Sequence, residues 1–185
     1  MSKAAEEGEA PLEDGVPGLL DVVFVRDNIV KITVLRTPLP DDFVPYVEWY
    51  LGLYDQFAED LARFLVVFDL RKVDACPSAL ILLKKFLFTK ALEPRTNVQM
   101  LGAAVLMNPC DPGTMWSCIM EQIKAYLTKR KESPVPRELF TDTARVKAFV
   151  KAHHVPPSKA KIKASVMNQA MRASNALVQK FLRSL

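Results

Sequence analysis

The sequence RFLVVFDLRKVDACPSAL, residues 63–80, decides the fold of this chain. Five apolar residues in a row, Phe64 to Phe68, are followed by Asp69. A short apolar run rich in β-branched and aromatic types predicts a strand that is buried on both faces of a sheet. Pro77 and Ser78 then precede a second apolar run, which predicts the start of a helix. The stretch therefore predicts a strand, a turn and a helix, and in open α/β sheets such turns are where ligands and partners bind.

Strand and helix patterns alternate along the rest of the chain. A hairpin is predicted before the central strand, because two β-branched runs flank the turn-favouring pair Asp27-Asn28. Asp41-Asp42 and Thr141 are helix-capping signals, whereas the polar residues 93–97 predict a loop. The order predicts an α/β fold in which about four helices cover a mixed sheet of about five strands, followed by a C-terminal amphipathic helix. The predicted strands are 22–26, 29–35, 64–68, 98–107 and 138–140, and the predicted helices are 41–62, 78–92, 115–129 and 141–152.

Charge and composition divide the chain into three parts. Residues 1–18 are rich in Glu, Ala, Gly and Pro, which predicts a flexible acidic arm. Residues 19–155 form the predicted α/β domain. Residues 156–185 predict a basic amphipathic helical tail, since residues 151–185 hold seven Lys or Arg and no carboxylate side chain. The net charge of +4 therefore belongs to the tail rather than to the domain.

Cysteine content and hydropathy predict a soluble chain of a reducing compartment. The 185 residues suit one domain with appendages. Cys76, Cys110 and Cys118 are odd in number and lack metal-ligand spacing, which favours free thiols in the cytoplasm or another reducing intracellular compartment. No signal-peptide pattern is visible, and no apolar run approaches the roughly 20 residues that span a bilayer.

The sequence predicts no catalytic residue, metal site or cofactor. The six glycines are too dispersed for a phosphate-binding loop. His153 and His154 adjoin at the end of a predicted helix, where interaction with the helix dipole or solvent is commoner than general-base chemistry. Asp69, Asp74 and Asp111 could meet near strand ends around a cation, but Asp residues at such ends more often cap or terminate an element.

The tail carries the clearest binding signal. Its apolar residues recur at three- and four-residue steps and Lys or Arg fill much of the remainder, which predicts a basic amphipathic helix. Contact with a groove on another protein is the favoured function. Folding back on its own domain and peripheral contact with an anionic membrane stay open, and the sparse aromatics argue against nucleic acid. The predicted partner-binding residues are Lys161, Lys163, Met167, Met171, Arg172, Leu177, Val178, Lys180, Phe181, Leu182 and Arg183.

The helices predicted at 41–62 and 78–92 carry more apolar residues than one packing face accommodates. In the first of them Val44, Tyr46 and Trp49 lie outside the main apolar stripe. Either the core-facing stripe is wide and some aromatics are exposed, or a second apolar surface docks a partner.

The central stretch, the opening pair of strands and the closing sequence ELFTDTARVKAFV (138–150) resemble a STAS domain. This is the fold of bacterial anti-sigma-factor antagonists and of the cytosolic module of sulfate transporters. The likeness covers roughly residues 22–152. Asp69-Leu70 and Val73 match the family's pattern of an apolar strand, Asp-Leu, a polar pair and Val. The resemblance implies a STAS-like α/β domain whose function is protein–protein interaction.

Ser78 falls where the family's phosphorylated serine sits, so the resemblance makes it a candidate phosphorylation site. Pro77, Ala79 and Leu80 stand where the family has Asp, Ser and Gly. These departures remove the carboxylate and the glycine that shape the family's site. An N-cap function for the Ser78 hydroxyl is therefore the preferred interpretation.

The strand–helix alternation around EPRTNVQMLGAAVLMNP (93–109) is similar, less closely, to the lipid-carrying CRAL-TRIO fold. That likeness implies, as an alternative, a carrier of a lipid or another apolar small molecule. The favoured prediction is a non-catalytic STAS-like interaction module, an adaptor or assembly component that binds other protein chains or copies of itself. A phosphorylation-regulated antagonist that switches at Ser78 is the remaining alternative.

Overall fold

The computed structural model describes residues 15–74, 92–129 and 134–182. Five strands form one sheet whose spatial order is the chain order, β1-β2-β3-β4-β5. The first pair is antiparallel and the other three pairs are parallel. The predicted α/β fold with a mixed five-stranded sheet and a C-terminal helix is therefore confirmed. The strands are β1 (Leu20–Arg26), β2 (Ile29–Val34), β3 (Phe64–Asp69), β4 (Met100–Leu106) and β5 (Arg137–Phe140), and the described helices are α1 (Phe43–Glu59), α2 (Glu93–Gln99), α3 (Met115–Lys129), α4 (Thr143–His153) and α5 (Ala164–Leu182).

The central strand is β3, and all six of its residues are buried. Because successive side chains point to opposite faces, Val66 and Phe68 enter the apolar cluster on one side of the sheet. Leu65 and Val67 enter the cluster on the other side. Asp69, predicted to end the apolar run, is the last residue of the strand and is itself only 3% exposed. A strand buried on both faces is what the five-residue apolar run predicted.

Helix α1 covers one face of the sheet with a wide stripe of aromatic residues. Tyr46 and Trp49, which the sequence placed outside the main stripe, are both buried. Tyr50 contacts Phe68 of β3 edge to face, with ring centroids 6.1 Å apart. Val44 stays exposed at 38%. The surplus apolar residues of this helix thus serve mainly the core of the chain itself.

Both ends of α1 differ in detail from the predicted span 41–62. Asp42 is the N-cap residue, but its carboxylate binds the Arg36 guanidinium at 2.6 and 2.7 Å instead of capping the helix. The helix ends at Glu59, because Leu61 takes a left-handed conformation (φ 50°) and Ala62 forms an isolated antiparallel bridge with Lys161. That bridge is the first contact between the domain and the tail.

Residues 93–97, predicted as a polar loop, belong to helix α2. The prediction was wrong because Pro94 lies in the first helical turn, where a missing N–H costs nothing. It was also wrong because three polar residues of the helix, Arg95, Thr96 and Gln99, are buried and satisfy one another or Tyr54. Strand β4 consequently starts at Met100 rather than at residue 98.

Two further predictions need correction near the C-terminus. Helix α4 is capped by Asp142, whose carboxylate accepts a hydrogen bond from the Ala144 amide at 2.8 Å, and not by Thr141. Helix α5 starts at Ala164, well inside the predicted helical tail of residues 156–185, because residues 160–162 bond to residues 61–63. Helix α5 then packs against α2. No helix among the described residues is long and apolar enough to cross a bilayer.

Candidate functional sites

The strand-to-helix turn that the sequence singled out is described only up to Asp74. Asp69 lies there at the carboxyl end of β3, and its carboxylate binds Arg71 through Nε at 2.9 Å and Nη2 at 2.8 Å. Lys31 approaches the same carboxylate to 3.3 Å. The Asn108 amide donates to the Arg71 carbonyl at 2.8 Å, which joins the ends of β3 and β4. Ser78 and its turn lie outside the described residues.

The Asp69 carboxylate is held as an anion. Its burial by itself raises the pKa, but the hydrogen bonds from Arg71 and Lys31 outweigh that effect and keep the pKa below its ordinary value. Asp74 is exposed and bonds through its backbone to Thr37, and Asp111 is exposed as well. The described residues contain no group of three or more His, Cys, Asp or Glu that could hold a metal ion. Among the described residues, the charged side chains at this edge of the sheet bind one another and hold the ends of neighbouring strands together.

We expect the Asp69 carboxylate to stabilise the fold at neutral pH and to lose this effect in strong acid. A carboxyl with a depressed folded-state pKa stabilises the fold above its unfolded value of about 3.9 and loses that contribution as the pH falls through the folded value. Asp69→Asn is therefore expected to lower the free energy of unfolding by about 1.5–3 kcal/mol at neutral pH. The difference between the two proteins in urea unfolding should shrink steadily below pH ~4. A difference that stayed constant into strong acid would contradict this account.

A buried polar network lies between α1 and α2. The Tyr54 hydroxyl contacts the Thr96 hydroxyl at 2.7 Å, and Thr96 donates to the Leu92 carbonyl. Burial raises the pKa of Tyr46, Tyr50 and Tyr54 above the ordinary value, so all three hydroxyls stay protonated at neutral pH. These side chains fix α2 against α1 and are shielded from solvent. They are therefore structural groups.

Arg95 extends this network to the surface. Its side chain is 1% exposed, and its Nη2 binds the Asp55 carboxylate at 2.6 Å. Its Nε donates to Gln99 at 3.0 Å, and Gln99 donates in turn to the Tyr54 carbonyl. The guanidinium also lies 5.3 Å from the centre of the Tyr54 ring. The guanidinium is thus buried, whereas its ion-pair partner Asp55 has a side chain that is 55% exposed.

The two histidines have separate structural contacts. His154 Nε2 lies 3.0 Å from Oδ1 of Asn28, a residue that is 1% exposed in the β1–β2 turn. Because Oδ1 is an acceptor, Nε2 carries the proton of this bond. The Asn28 amide donates to the Arg63 carbonyl at 3.0 Å and to the Val155 carbonyl at 2.8 Å. Asn28 therefore ties the start of β3 and the end of α4 to the hairpin.

The predicted partner-binding residues of the tail divide between two faces of α5. Met167 and Val178 are buried against the domain together with Ala170 and Ser174, and Met171 is partly buried. Folding back on the domain, one of the open alternatives, is the arrangement present. Lys161 is exposed and donates to the Asp60 carbonyl. Lys163, Arg172, Leu177 and Lys180 are exposed, whereas the side chains of Phe181 and Leu182 and all of Arg183 lie outside the described parts.

The outward surface of α5 is basic and partly apolar. Val166 and Leu177 are each 43% exposed. They lie eleven residues apart with Ala173 between them, and this spacing places all three on one side of a helix. Arg172 and Lys180 are exposed on the same helix. We call Val166, Arg172, Ala173, Leu177 and Lys180 the outer face of α5.

A cleft of about 300 Å³ lies on the opposite side of the sheet, between β5 and α4. Phe140 and Phe149 form its apolar wall, with ring centroids 5.5 Å apart. The Arg145 guanidinium lies 5.8 Å from the centre of the Phe140 ring, and the His153 ring lies 4.4 Å from that of Phe149. Its lining residues are Glu138, Phe140, Arg145, Ala148, Phe149, Ala152 and His153.

Comparison of the chain with protein-family models, with curated proteins and with solved structures finds no significant match. The function therefore has to be argued from the surfaces and clusters described above. Sequence reasoning predicted the basic tail but missed the cleft, whose lining combines a four-residue strand with one side of α4. Of the Lys and Arg residues of α4, Arg145 alone lines the cleft, so the charge pattern of that helix does not mark the cleft.

Proposed function

We propose that this chain is a non-catalytic STAS-like interaction module, an adaptor or assembly component that binds an acidic surface of another protein through the outer face of α5. The observation that carries the proposal is the division of α5 between its two faces. One face is engaged by the domain, so the helix is held in place. The other presents Arg172, Lys180 and two half-exposed apolar side chains to solvent.

Charge supports a partner of opposite sign. Residues 151–185 contain no Asp or Glu, so the basic side chains of α5 have no acidic side chain beside them on their own helix. Two copies of α5 would repel each other through their outer faces, whereas an acidic surface would be attracted and oriented. The apolar pair Val166 and Leu177 provides the water-excluding contact that a purely electrostatic interface lacks.

The charged residues elsewhere in the described domain agree with a scaffold. Asp69, Asp42 and Arg95 each bind partners within the chain, which fixes strand ends and helices in place. The tail is joined to this frame by the bridge between Ala62 and Lys161. A rigid domain that holds one exposed helix face in a fixed position suits an adaptor, because binding residues on rigid elements keep their geometry.

Charge reversal on α5 tests this proposal. The double variant Arg172→Glu with Lys180→Glu is expected to weaken binding of the partner recovered from native lysate by roughly tenfold or more, because it puts like charges across the interface. Affinity should be measured with the purified partner, and chemical cross-links should join that partner to Lys163 or Lys180. Lys147→Glu with Lys151→Glu on α4 is the matched control and should leave the affinity unchanged.

Two outcomes would oppose the proposal. A strict monomer in light scattering that recovers no partner from its native lysate would remove the interaction function. A partner that bound the α5 double variant as tightly as the natural protein would place the interface elsewhere. Thermal unfolding of each variant establishes beforehand that the fold is retained, which is expected because all four substituted side chains are exposed.

A further inference from the structure

Strand β1 forms an edge of the sheet that is open among the described strands, because it pairs only with β2. The Leu19 carbonyl accepts a hydrogen bond from the Leu35 amide at 2.8 Å, so it points toward β2. The Leu20 amide belongs to the same peptide unit, points the opposite way and bonds to the turn before the strand at 2.9 Å. Since backbone groups of an antiparallel strand alternate in direction, the N–H and C=O of Val22 and Phe24 also point toward the open edge.

The side of β1 that faces away from α1 is exposed and apolar at its centre. Val23 is 47% exposed and Val25 is 57% exposed. Helix α4 lies on that side of the sheet but packs on β3, β4 and β5. No proline or lysine interrupts β1, and its bulge lies at its end, between Phe24 and Arg26. An edge strand with free backbone groups and exposed apolar side chains readily pairs with another strand.

The same side of β1 carries an acidic group at one end and a basic group at the other. Asp21 is opposite Thr33, and Arg26 is opposite Ile29, which enters the cluster on the α4 side. Val23 lies between the two charged residues. Both charged side chains are exposed, and neither forms an ion pair among the described residues. The order acid, apolar, base is complementary to itself when a second copy runs antiparallel, because each end then meets the opposite charge.

We propose that two copies of this chain associate through their β1 strands, which pair antiparallel about a two-fold axis at Val23 and join two five-stranded sheets into one. In this register Val22 and Phe24 of one copy exchange backbone hydrogen bonds with Phe24 and Val22 of the other. Val23 packs on its counterpart, with Cα atoms about 4.5 Å apart. Asp21 lies beside Arg26 of the second copy. This surface is separate from the outer face of α5, and the proposal does not depend on the adaptor function.

The symmetry of the contact fixes its size and its strength. Because both copies use the same edge, the contact closes and gives a dimer instead of a filament. A parallel arrangement would place Asp21 beside Asp21 and Arg26 beside Arg26, which like-charge repulsion disfavours. Two short strands cover less than the roughly 800 Å² per partner of a tight complex, so we expect a dissociation constant of roughly 10–100 μM.

Sedimentation equilibrium from roughly 5 to 500 μM measures the association. The natural protein is expected to change from monomer toward dimer over this range. Val23→Lys should weaken the association by at least about tenfold, because it places two ammonium groups opposite each other at the two-fold axis. Val166→Lys on α5 is the matched control and should leave the association unchanged, since Val166 is similarly exposed at 43% and gains the same charge.

Charge exchange tests the register. Asp21→Arg alone and Arg26→Asp alone should each weaken self-association by at least about fivefold, because like charges then meet at both ends of the contact. An equimolar mixture of these two variants should associate at least about fivefold more tightly than either variant alone, since opposite charges then meet at both ends. Damage to the fold of either variant would not produce this recovery.

Amide hydrogen exchange locates the contact on the strand. The Val22 and Phe24 amides should exchange more slowly at the higher protein concentration, whereas the Val23 amide, which points to β2, should not change. A constant monomer mass, equal association of the two lysine variants, or no recovery in the mixture would each overturn the proposal. If the protein stayed monomeric and a different protein slowed exchange of the Val22 amide, the edge would bind that protein and self-pairing would be wrong.

The α5 double variant separates the dimer contact from the proposed adaptor interface. Arg172→Glu with Lys180→Glu should leave the dissociation constant of the dimer unchanged, because neither residue lies on β1. Val23→Lys should in turn leave binding of the acidic partner to α5 unchanged. Loss of self-association in the α5 double variant would place the dimer contact on α5 and overturn the β1 proposal.

Discussion

Replacing Asp55 by alanine is expected to lower the free energy of unfolding by about 2–4 kcal/mol, although Asp55 itself is largely exposed. The loss arises because the Arg95 side chain is only 1% exposed and Asp55 is its charged partner at 2.6 Å. Without that carboxylate the guanidinium remains buried with its charge uncompensated, and such a charge costs more than a lost surface contact. Urea unfolding at neutral pH measures the effect.

A second substitution distinguishes this explanation from the loss of a helix contact. Arg95→Met removes the buried charge, so the double variant with Asp55→Ala is expected to recover roughly half or more of the lost stability. Glu48→Ala, an exposed carboxylate on the same helix, is the control and should change stability by less than about 0.5 kcal/mol. Additive losses from the two single substitutions would contradict the uncompensated-charge account.

Replacing Asn28 by aspartate is expected to cost about 3 kcal/mol or more and to loosen the tail. The substitution preserves shape but turns two hydrogen-bond donations into repulsion, because a carboxylate oxygen then faces the carbonyls of Arg63 and Val155. Amide hydrogen exchange should report the local part of the effect. The Ile162 amide, which donates to the Leu61 carbonyl at 2.8 Å, should lose protection.

The neighbouring residue gives the control for Asn28. Asp27 lies in the same turn and is exposed, so Asp27→Asn makes the converse substitution with no buried contact at risk. It should leave both the unfolding free energy and the exchange of Ile162 nearly unchanged. If the two substitutions lowered the unfolding free energy equally, the turn would tolerate neither change. The side-chain hydrogen bonds of Asn28 would then not explain its effect.

The sheet could be predicted because its strands are marked by local composition. Five consecutive apolar residues identify β3, and the β-branched runs around residues 27–28 identify the β1–β2 pair. Helix α3 was predicted with the bounds it has, because turn signals at 111–114 precede a regular apolar stripe. In these elements the local preference and the tertiary environment agree.

The missed features depend on residues far apart in the chain. Polar residues are expected at the surface, so the sequence predicts a loop at residues 93–97. In the structure, Thr96 and Arg95 are buried and hydrogen-bonded to Tyr54 and Asp55 of α1. Asn28 was read as a turn residue because its partners Arg63 and Val155 are distant in the chain. The cleft was missed for the same reason, because it is formed only when β5 and α4 lie beside each other in the fold.

The equality of strand order and chain order has a consequence for how the molecule forms during synthesis. Each new strand of the sheet pairs with the strand made just before it, so the sheet can grow from the hairpin outward as the chain leaves the ribosome. The tail is different. Lys161 bonds to the Asp60 carbonyl, 101 residues earlier. That contact cannot form until Lys161 has been synthesised, after all five strands, and we expect docking of α5 to follow formation of the sheet.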